Sequence, residues 1–427
     1  MKKSKQRIRF MTLLFILSLA GTGCGDGRQV EEPTYTSQKG GTETVSKTGL
    51  LSFGYFYGEE GIVLSSRKHF LFSNWEPLEF DYICVDPTCS HLTGSCSART
   101  ISGAEDAQKD FGLLYQGRLI ILHAYSQFVS NESSETVWDY STVYQTDVYE
   151  ANPDGSNRRK MVTFQGAIDS PIIPYAAVLA DGKLYFGGAI EVRNRSGYDI
   201  QGGGLTNGSW ISDAVYCLDL NDYTLETFAV TENRGGLGNQ YQFYEYDSMI
   251  YGIISNFQED SAVWYRINPA VGGCEEILRF DSNVARFCGA IGDTVYYYYE
   301  NSGKTLYARD IAAGAKERKI MTITGEDMFV NTFILDEQIL FMTDCCTEGE
   351  NRMTEYAVLD RNGEYIDTIR YDDHVSFLDA VGEKLIYFRM YSDCDEWWVD
   401  KENFIDLTEK GVPIGPFYGP RLDTLAD

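Results

Sequence analysis

One hydrophobic pattern recurs from residue 110 onward: a polar turn pair, then a short apolar and aromatic run. It reads Gln116-Gly117-Arg118-Leu119-Ile120-Ile121, then Asp181-Gly182-Lys183-Leu184-Tyr185-Phe186, then Asp247-Ser248-Met249-Ile250-Tyr251. It returns at Gly292-Asp293-Thr294-Val295-Tyr296, Asp336-Glu337-Gln338-Ile339-Leu340-Phe341 and Gly382-Glu383-Lys384-Leu385-Ile386-Tyr387. Asp-Gly-type pairs between β-rich runs predict tight hairpins, because their positive φ angles match the twist of paired strands. A second pattern follows most of these: a strand, a polar turn and another strand. Examples are Asp147–Asn152, Val215–Leu220, Trp264–Asn268, Leu306–Asp310 and Tyr356–Asp360.

Each unit therefore predicts about four short strands. The intervals between unit starts are 65, 66, 45, 44 and 46 residues. Four-stranded units at roughly 40–50 residues mark a β-propeller. Residues 54–85 fit a first, more divergent unit, with Gly54-Tyr55-Phe56-Tyr57 as its aromatic run. The expectation is an all-β chain forming a single β-propeller over 50–427. It has about seven four-stranded blades, with six or eight as the neighbouring counts and a β-sandwich pair or β-solenoid as the competing folds.

Composition supports an all-β globular body. Of 427 residues 43% are hydrophobic and 23% charged, and 14% are aromatic, a load that favours strands. The net charge of −27 repels phosphate backbones and speaks against nucleic acid as a partner. Only the N-terminus is apolar for long enough to meet a membrane.

There, Lys2, Lys3, Lys5, Arg7 and Arg9 precede the apolar run from Phe10 to Ala20, and Gly21-Thr22-Gly23-Cys24 follows. A basic stretch, an apolar stretch and small residues describe an export signal over residues 1–23. The small residues before Cys24 resemble the lipobox of bacterial lipoproteins, which implies lipidation of Cys24 as the new N-terminus. Gly21 stands where that motif usually has Leu, and the other reading is an ordinary signal peptide with an incidental cysteine. Cleavage would take five positive charges and no negative ones, moving the net charge to −32. Residues 24–49 then form a lipidated cysteine and a Gly/Thr/Ser/Glu-rich tether that buries too little to order itself. The expected address is the outer, extracytoplasmic face of a bacterial cell membrane, held through the N-terminal lipid alone.

The turn Asn152-Pro153-Asp154-Gly155-Ser156-Asn157-Arg158-Arg159 is similar to the hairpin turn of TolB-like propellers. The layout over most of 50–412 resembles uncharacterised β-propeller lipoproteins of gut clostridia. That likeness implies a fold and an address, and no activity.

Two long intervals place insertions at about 124–146 and about 190–213. They contain Tyr125, Phe128, Trp138, Tyr140 and Tyr144, and then Tyr198 and Trp210 beside Gly202-Gly203-Gly204. Long loops on a rigid scaffold usually carry binding, and aromatics stack on sugar rings or anchor peptides. Tyr125, Trp138, Tyr140, Tyr198 and Trp210 are the candidate ligand-binding residues, for an envelope protein or a glycan. Packing of the loops on one another as a cap is the alternative.

The sharpest local motif is Cys84-Val85-Asp86-Pro87-Thr88-Cys89-Ser90-His91-Leu92-Thr93-Gly94-Ser95-Cys96, spaced C-x4-C-x-H-x4-C. Three thiolates and an imidazole suit tetrahedral zinc without an open position. The clostridial lipoproteins look similar here, with a Cys/Pro/Cys/His/Cys pattern. Disulfides compete, since exported cysteines usually pair. Beyond Cys24 nine cysteines remain, an odd number that leaves a thiol over. Cys345, Cys346 and Cys394 fall in equivalent loops and are candidates for a bridge.

Enzyme signatures are sparse. The chain has four histidines and no G-x-S-x-G, H-E-x-x-H or P-loop sequence. Asp372, Asp373, Asp393, Asp395 and Glu396 are the carboxylates a propeller glycoside hydrolase or lyase would draw on. Asp372-Asp373 and Asp393-x-Asp395 also offer oxygen ligands for calcium. No cofactor is required. The reading is a binding or protein-scaffolding module at the cell envelope; the alternative is a glycoside hydrolase or lyase acting on extracellular polysaccharide.

Overall fold

The computed structural model describes residues 49–52, 55–66, 68–75, 80–91, 93–101, 110–130, 140–165, 176–194, 209–234, 239–256, 261–281, 285–299, 303–312, 314–323, 331–346, 353–389, 396–405 and 407–414. The export signal, Cys24 and the tether up to residue 48 lie outside the described residues.

Short antiparallel strands fill nearly all of the described chain. Gly49–Ser52 forms β1. Blade 1 is β2 (Tyr55–Gly58), β3 (Gly61–Ser65), β4 (Phe70–Ser73) and β5 (Asp81–Tyr82). Blade 2 is β6 (Asp110–Tyr115), β7 (Arg118–Ser130), β8 (Tyr140–Ala151) and β9 (Arg159–Gln165). Blade 3 is β10 (Ala176–Ala180), β11 (Lys183–Asn194), β12 (Ser209–Asp219) and β13 (Leu225–Arg234). Blade 4 is β14 (Asn239–Tyr246), β15 (Met249–Asn256), β16 (Ser261–Asn268) and β17 (Gly273–Phe280). Blade 5 is β18 (Ala285–Ile291), β19 (Thr294–Tyr299), β20 (Thr305–Asp310) and β21 (Arg318–Thr322). Blade 6 is β22 (Thr332–Leu335), β23 (Gln338–Cys346), β24 (Met353–Leu359) and β25 (Tyr365–Tyr371), and blade 7 is β26 (Val375–Val381), β27 (Lys384–Arg389), β28 (Glu396–Asp400) and β29 (Val412–Pro413). Among the described residues, helix is confined to a 3-10 turn at Lys401–Asn403 and one α turn at Leu407–Lys410. The protein is a seven-bladed β-propeller.

The turn pairs read from the sequence sit between the first two strands of their blades, as in Tyr115↔Arg118, Ala180↔Lys183 and Tyr246↔Met249. Gln116-Gly117, Asp181-Gly182 and Asp247-Ser248 all have positive φ at both central positions, the mark of a type I′ hairpin. The third and fourth strands share a second device. A register shift falls at Val148/Tyr149, Val215/Tyr216, Trp264/Tyr265, Leu306/Tyr307 and Val358/Leu359, so five blades bulge at one place. Such a bulge raises the local twist and turns the outer strand away from the inner ones.

Aromatics fill the gaps between blades. Trp264 of blade 4 meets Phe287 and Tyr297 of blade 5 edge-on at 5.3 and 5.5 Å, and Tyr356 of blade 6 meets Phe377 of blade 7 at 5.2 Å. Each such pair adds about 0.5–1.5 kcal/mol to the burial of its rings. The high aromatic content is thus spent between blades.

The ring closes without strand exchange: blade 7 is built wholly from residues 375–413. Side chains join it to blade 1. Trp75 packs edge-on against Trp398 at 5.3 Å, and Lys384 Nζ lies 4.0 Å from the Trp398 ring centre. The N-terminal strand serves elsewhere. β1 pairs with β2 from Gly49↔Gly58 to Ser52↔Tyr55, and with β10 from Gly49↔Leu179 to Ser52↔Ala176. It joins blades 1 and 3 into one nine-stranded sheet. The aromatic run at residues 55–57 is β2, which follows β1 across the pair Ser52↔Tyr55 just as β7 follows β6 across Tyr115↔Arg118.

Candidate metal centre

Between β5 and β6 the chain makes a long connection, residues 83–109, whose first part folds into a knuckle. Asp86-Pro87-Thr88-Cys89 is a turn for local reasons. Pro87 fixes φ at the second position, the Asp86 carboxylate accepts from the Thr88 N–H at 2.8 Å, and the Cys89 N–H donates to the Asp86 carbonyl at 3.0 Å. A second turn sets Cys96 N–H on the Thr93 carbonyl at 3.2 Å. These turns aim Cys84, Cys89, His91 and Cys96 at one point: one ligand atom from each lies within 4.8 Å of all the others. His91 Nδ1 is 3.4 Å from Cys96 Sγ, and the His91 backbone N–H donates to Cys89 Sγ at 3.4 Å. With Zn–S near ~2.3 Å and Zn–N near ~2.0 Å, a tetrahedron has ligand–ligand edges of about 3.6–3.8 Å.

The imidazole is held on several sides. His91 takes φ 58°, a left-handed conformation that costs a non-glycine residue about 1–2 kcal/mol. Its ring stacks on Tyr82 with centroids 4.1 Å apart, and its carbonyl lies 2.7 Å from His69 Nε2. Burial lowers the His69 pKa against that hydrogen bond, so this ring is neutral and donates. Burial also acts on the Cys84 thiol, but hydrogen bonding with Ser97, Asp86, Cys89 and Cys96 outweighs it and leaves its pKa below the ordinary value. Burial pushes Cys96 up to about 11. Cys84, Cys89 and Cys96 are unbridged.

The knuckle is seated on blade 2. Ser97 Oγ donates to the Asp154 carbonyl at 2.6 Å, and Arg158 donates to the carbonyls of Ser97 and Gly155. Gly155 has φ 73°, and a Cβ there would stand 2.2 Å from the Ser97 carbonyl oxygen. Only glycine allows this approach. On the other side, Phe70 N–H donates to Ala98 at 2.7 Å and Thr100 N–H to Lys68 at 2.8 Å, lacing residues 98–100 to the start of β4. Reading the turn Asn152–Asn157 as a plain hairpin gave no sign of this contact, because Ser97 and Asp154 are 57 residues apart.

The other sequence candidates are more scattered. The two insertions extend hairpins: β7 and β8 stay in register from Leu119↔Ala151 to Ser130↔Tyr140, and β11 and β12 pair from Lys183↔Asp219 to Asn194↔Ser209 with one register shift between Ala189 and Glu191. Tyr125 and Tyr140 lie on β7 and β8 and Trp210 on β12, while Trp138 and Tyr198 fall outside the described residues. The Tyr125 hydroxyl donates to Gln145 Oε1 at 2.6 Å and its ring stacks on His123. Cys345 and Cys346 end β23, with Cys345 Sγ 3.4 Å from His374 Nε2; Cys394 is outside the described residues. Asp373 is buried and paired with Arg389 at 2.6 Å, Asp372 is exposed, and Asp393 and Asp395 are outside the described residues. Glu396 opens β28.

No protein-family model matches the chain, and no curated protein matches it. Several solved structures are similar. A prolyl endopeptidase aligns at 11% identity and TM-score 0.44, over 86% of this chain and 48% of that one, so the chain spans about half its length. TolB from Acinetobacter baumannii aligns at 10% identity and TM-score 0.27, over 75% of this chain and 62% of that one. The β-propeller domain of the Trilobed protease from Pyrococcus furiosus, described as having an open velcro topology, aligns at 10% identity and TM-score 0.35, over 72% and 83%. The seven blades, two of them joined by β1 into one sheet, are what define the fold.

Proposed function

We propose that the chain is an extracytoplasmic, lipid-anchored β-propeller that binds a protein or glycan partner at the bacterial cell envelope, like the gut clostridial lipoproteins it resembles in sequence. The observation that carries this reading is the pair of extended hairpins on blades 2 and 3. The 13-residue β7 and 12-residue β8, and the 12-residue β11 and 11-residue β12, run well past the four- to nine-residue strands of most other blades. Arms of this length on a rigid ring offer contact surface at little ordering cost. The basic and apolar N-terminus with Cys24 supports the anchor, and the acidic body suits solubility outside anionic lipid.

The glycoside hydrolase or lyase alternative is the weaker reading. Of its carboxylates, Asp373 is buried and held in an ion pair with Arg389 at 2.6 Å.

A glycan and cell-wall array probed with the full chain, followed by product analysis, tests the reading. Retention without products, lost in Trp138→Ala and Trp210→Ala, supports a glycan-binding module. Released products would replace it with the enzyme. Incorporation of labelled palmitate, absent from Cys24→Ala, tests the anchor.

A further inference from the structure

The knuckle between blades 1 and 2 calls for an account that does not depend on the envelope reading. Four soft or borderline ligand atoms converge within 4.8 Å, with no sulfur bridged and one ligand residue in a left-handed conformation. Such backbone cost persists where the surroundings over-determine it, typically at ligand clamps. The N–H of His91 points at Cys89 Sγ, as an amide does toward a charged sulfur. A further observation lies outside the four residues. Arg158 is half-buried among backbone carbonyls and Phe70, and among the described residues it makes no ion pair with a carboxylate. The acidic groups acting on it are Asp110, already 2.5 Å from His123 Nδ1, and Cys96. A buried guanidinium needs a counter-charge.

We propose that Cys84, Cys89, His91 (through Nδ1) and Cys96 hold one Zn2+ in a closed Cys3His tetrahedron. On binding, three thiol protons leave to solvent and the neutral imidazole donates its lone pair, so the filled centre carries a net charge of −1. That charge adds to the one Asp110 already places near Arg158. Four protein ligands leave no position for water or substrate, so the metal is structural. Its work is to fix the connection from blade 1 so that Ser97 docks on Asp154 and Gly155, clasping blades 1 and 2 where no strand joins them directly. Arg158 is a positioning residue that acts through the cluster's charge.

The test uses the full chain purified without chelators. Elemental analysis should return one equivalent of zinc on reduced thiols. Cobalt replacing zinc should give the visible bands of a tetrahedral site with thiolate-to-cobalt charge transfer. Cys89→Ser and His91→Ala should lose the metal, His91→Cys should keep it, and Arg158→Gln should bind zinc roughly 10–100-fold more weakly. If Cys89→Ser does not fold, the cobalt spectrum of the unaltered chain decides. A folded chain that takes up neither metal, or one whose intact mass on reduction reveals a disulfide among Cys84, Cys89 and Cys96, overturns the proposal.

Discussion

Replacing Trp398 with alanine tests how the ring is closed. The indole is 1% exposed and wedged between blade 7 and blade 1, with Trp75 on its edge and Lys384 above its face. Burying roughly 200 Å² of ring at about 25 cal/mol/Å² is worth about 5 kcal/mol as an upper figure. The edge contact with Trp75 adds about 1 kcal/mol. Against this, the Trp398 indole N–H is buried without a hydrogen-bond partner among the described residues, which costs the native state about 1–3 kcal/mol. The balance is a loss of about 3–5 kcal/mol for Trp398→Ala. Trp398→Phe keeps most of the ring and removes the orphan donor, so it should cost less than about 1.5 kcal/mol. Guanidinium unfolding followed by far-UV circular dichroism reads both, and a cycle with Trp75→Ala should return a coupling of about 1 kcal/mol. A loss below about 1 kcal/mol for alanine, or equal losses for alanine and phenylalanine, would refute closure by side-chain packing.

Two further outcomes follow from the same reasoning. Gly155→Ala forces a left-handed alanine against the Ser97 carbonyl and should lower stability by about 2 kcal/mol or more, seen as a lower melting temperature; an unchanged one contradicts the tight seat of the knuckle on blade 2. Asp379, on the inner strand β26, has its pKa pushed up to about 7 by burial and then Glu245, against the Ala380 N–H and Lys401. A carboxyl raised in the folded state binds more protons there, so stability is greatest below about pH 4 for this group and falls as pH rises to about 7. After screening by solvent the fall should be about 1–2 kcal/mol, and Asp379→Asn should flatten it in urea midpoints compared at about pH 5 and about pH 8.

The repeat was legible because it is local. Asp181-Gly182 and Gly382-Glu383 sit between strands two residues apart, and each carries its hairpin in its own φ preferences. The knuckle was legible for a similar reason, with three cysteines and a histidine inside thirteen residues and Asp86-Pro87 folding them back. What could not be read is non-local. Nothing in Gly49-Leu50-Leu51-Ser52 announces a partner at residues 176–179, since both strands are short and apolar and any register would satisfy their pattern. Arg158 reads as one of two arginines after a turn, and only the fold puts it beside the cysteines. The insertions read as loops because a long hairpin with polar and aromatic alternation has no turn signal to bound it; the register Ser130↔Tyr140 required the structure.

The place of β1 has a mechanical consequence. Its four residues are stitched to blade 1 on one edge and blade 3 on the other, four register pairs to each. A pull along this strand from its N-terminal side loads both rows of hydrogen bonds at once, in shear, where they must break together. Tension arriving at Gly49 is thus divided between two sheets before it reaches the Trp75–Trp398 seam, so a body held by its N-terminus would bear load at the axis and spare the joint that lacks a strand.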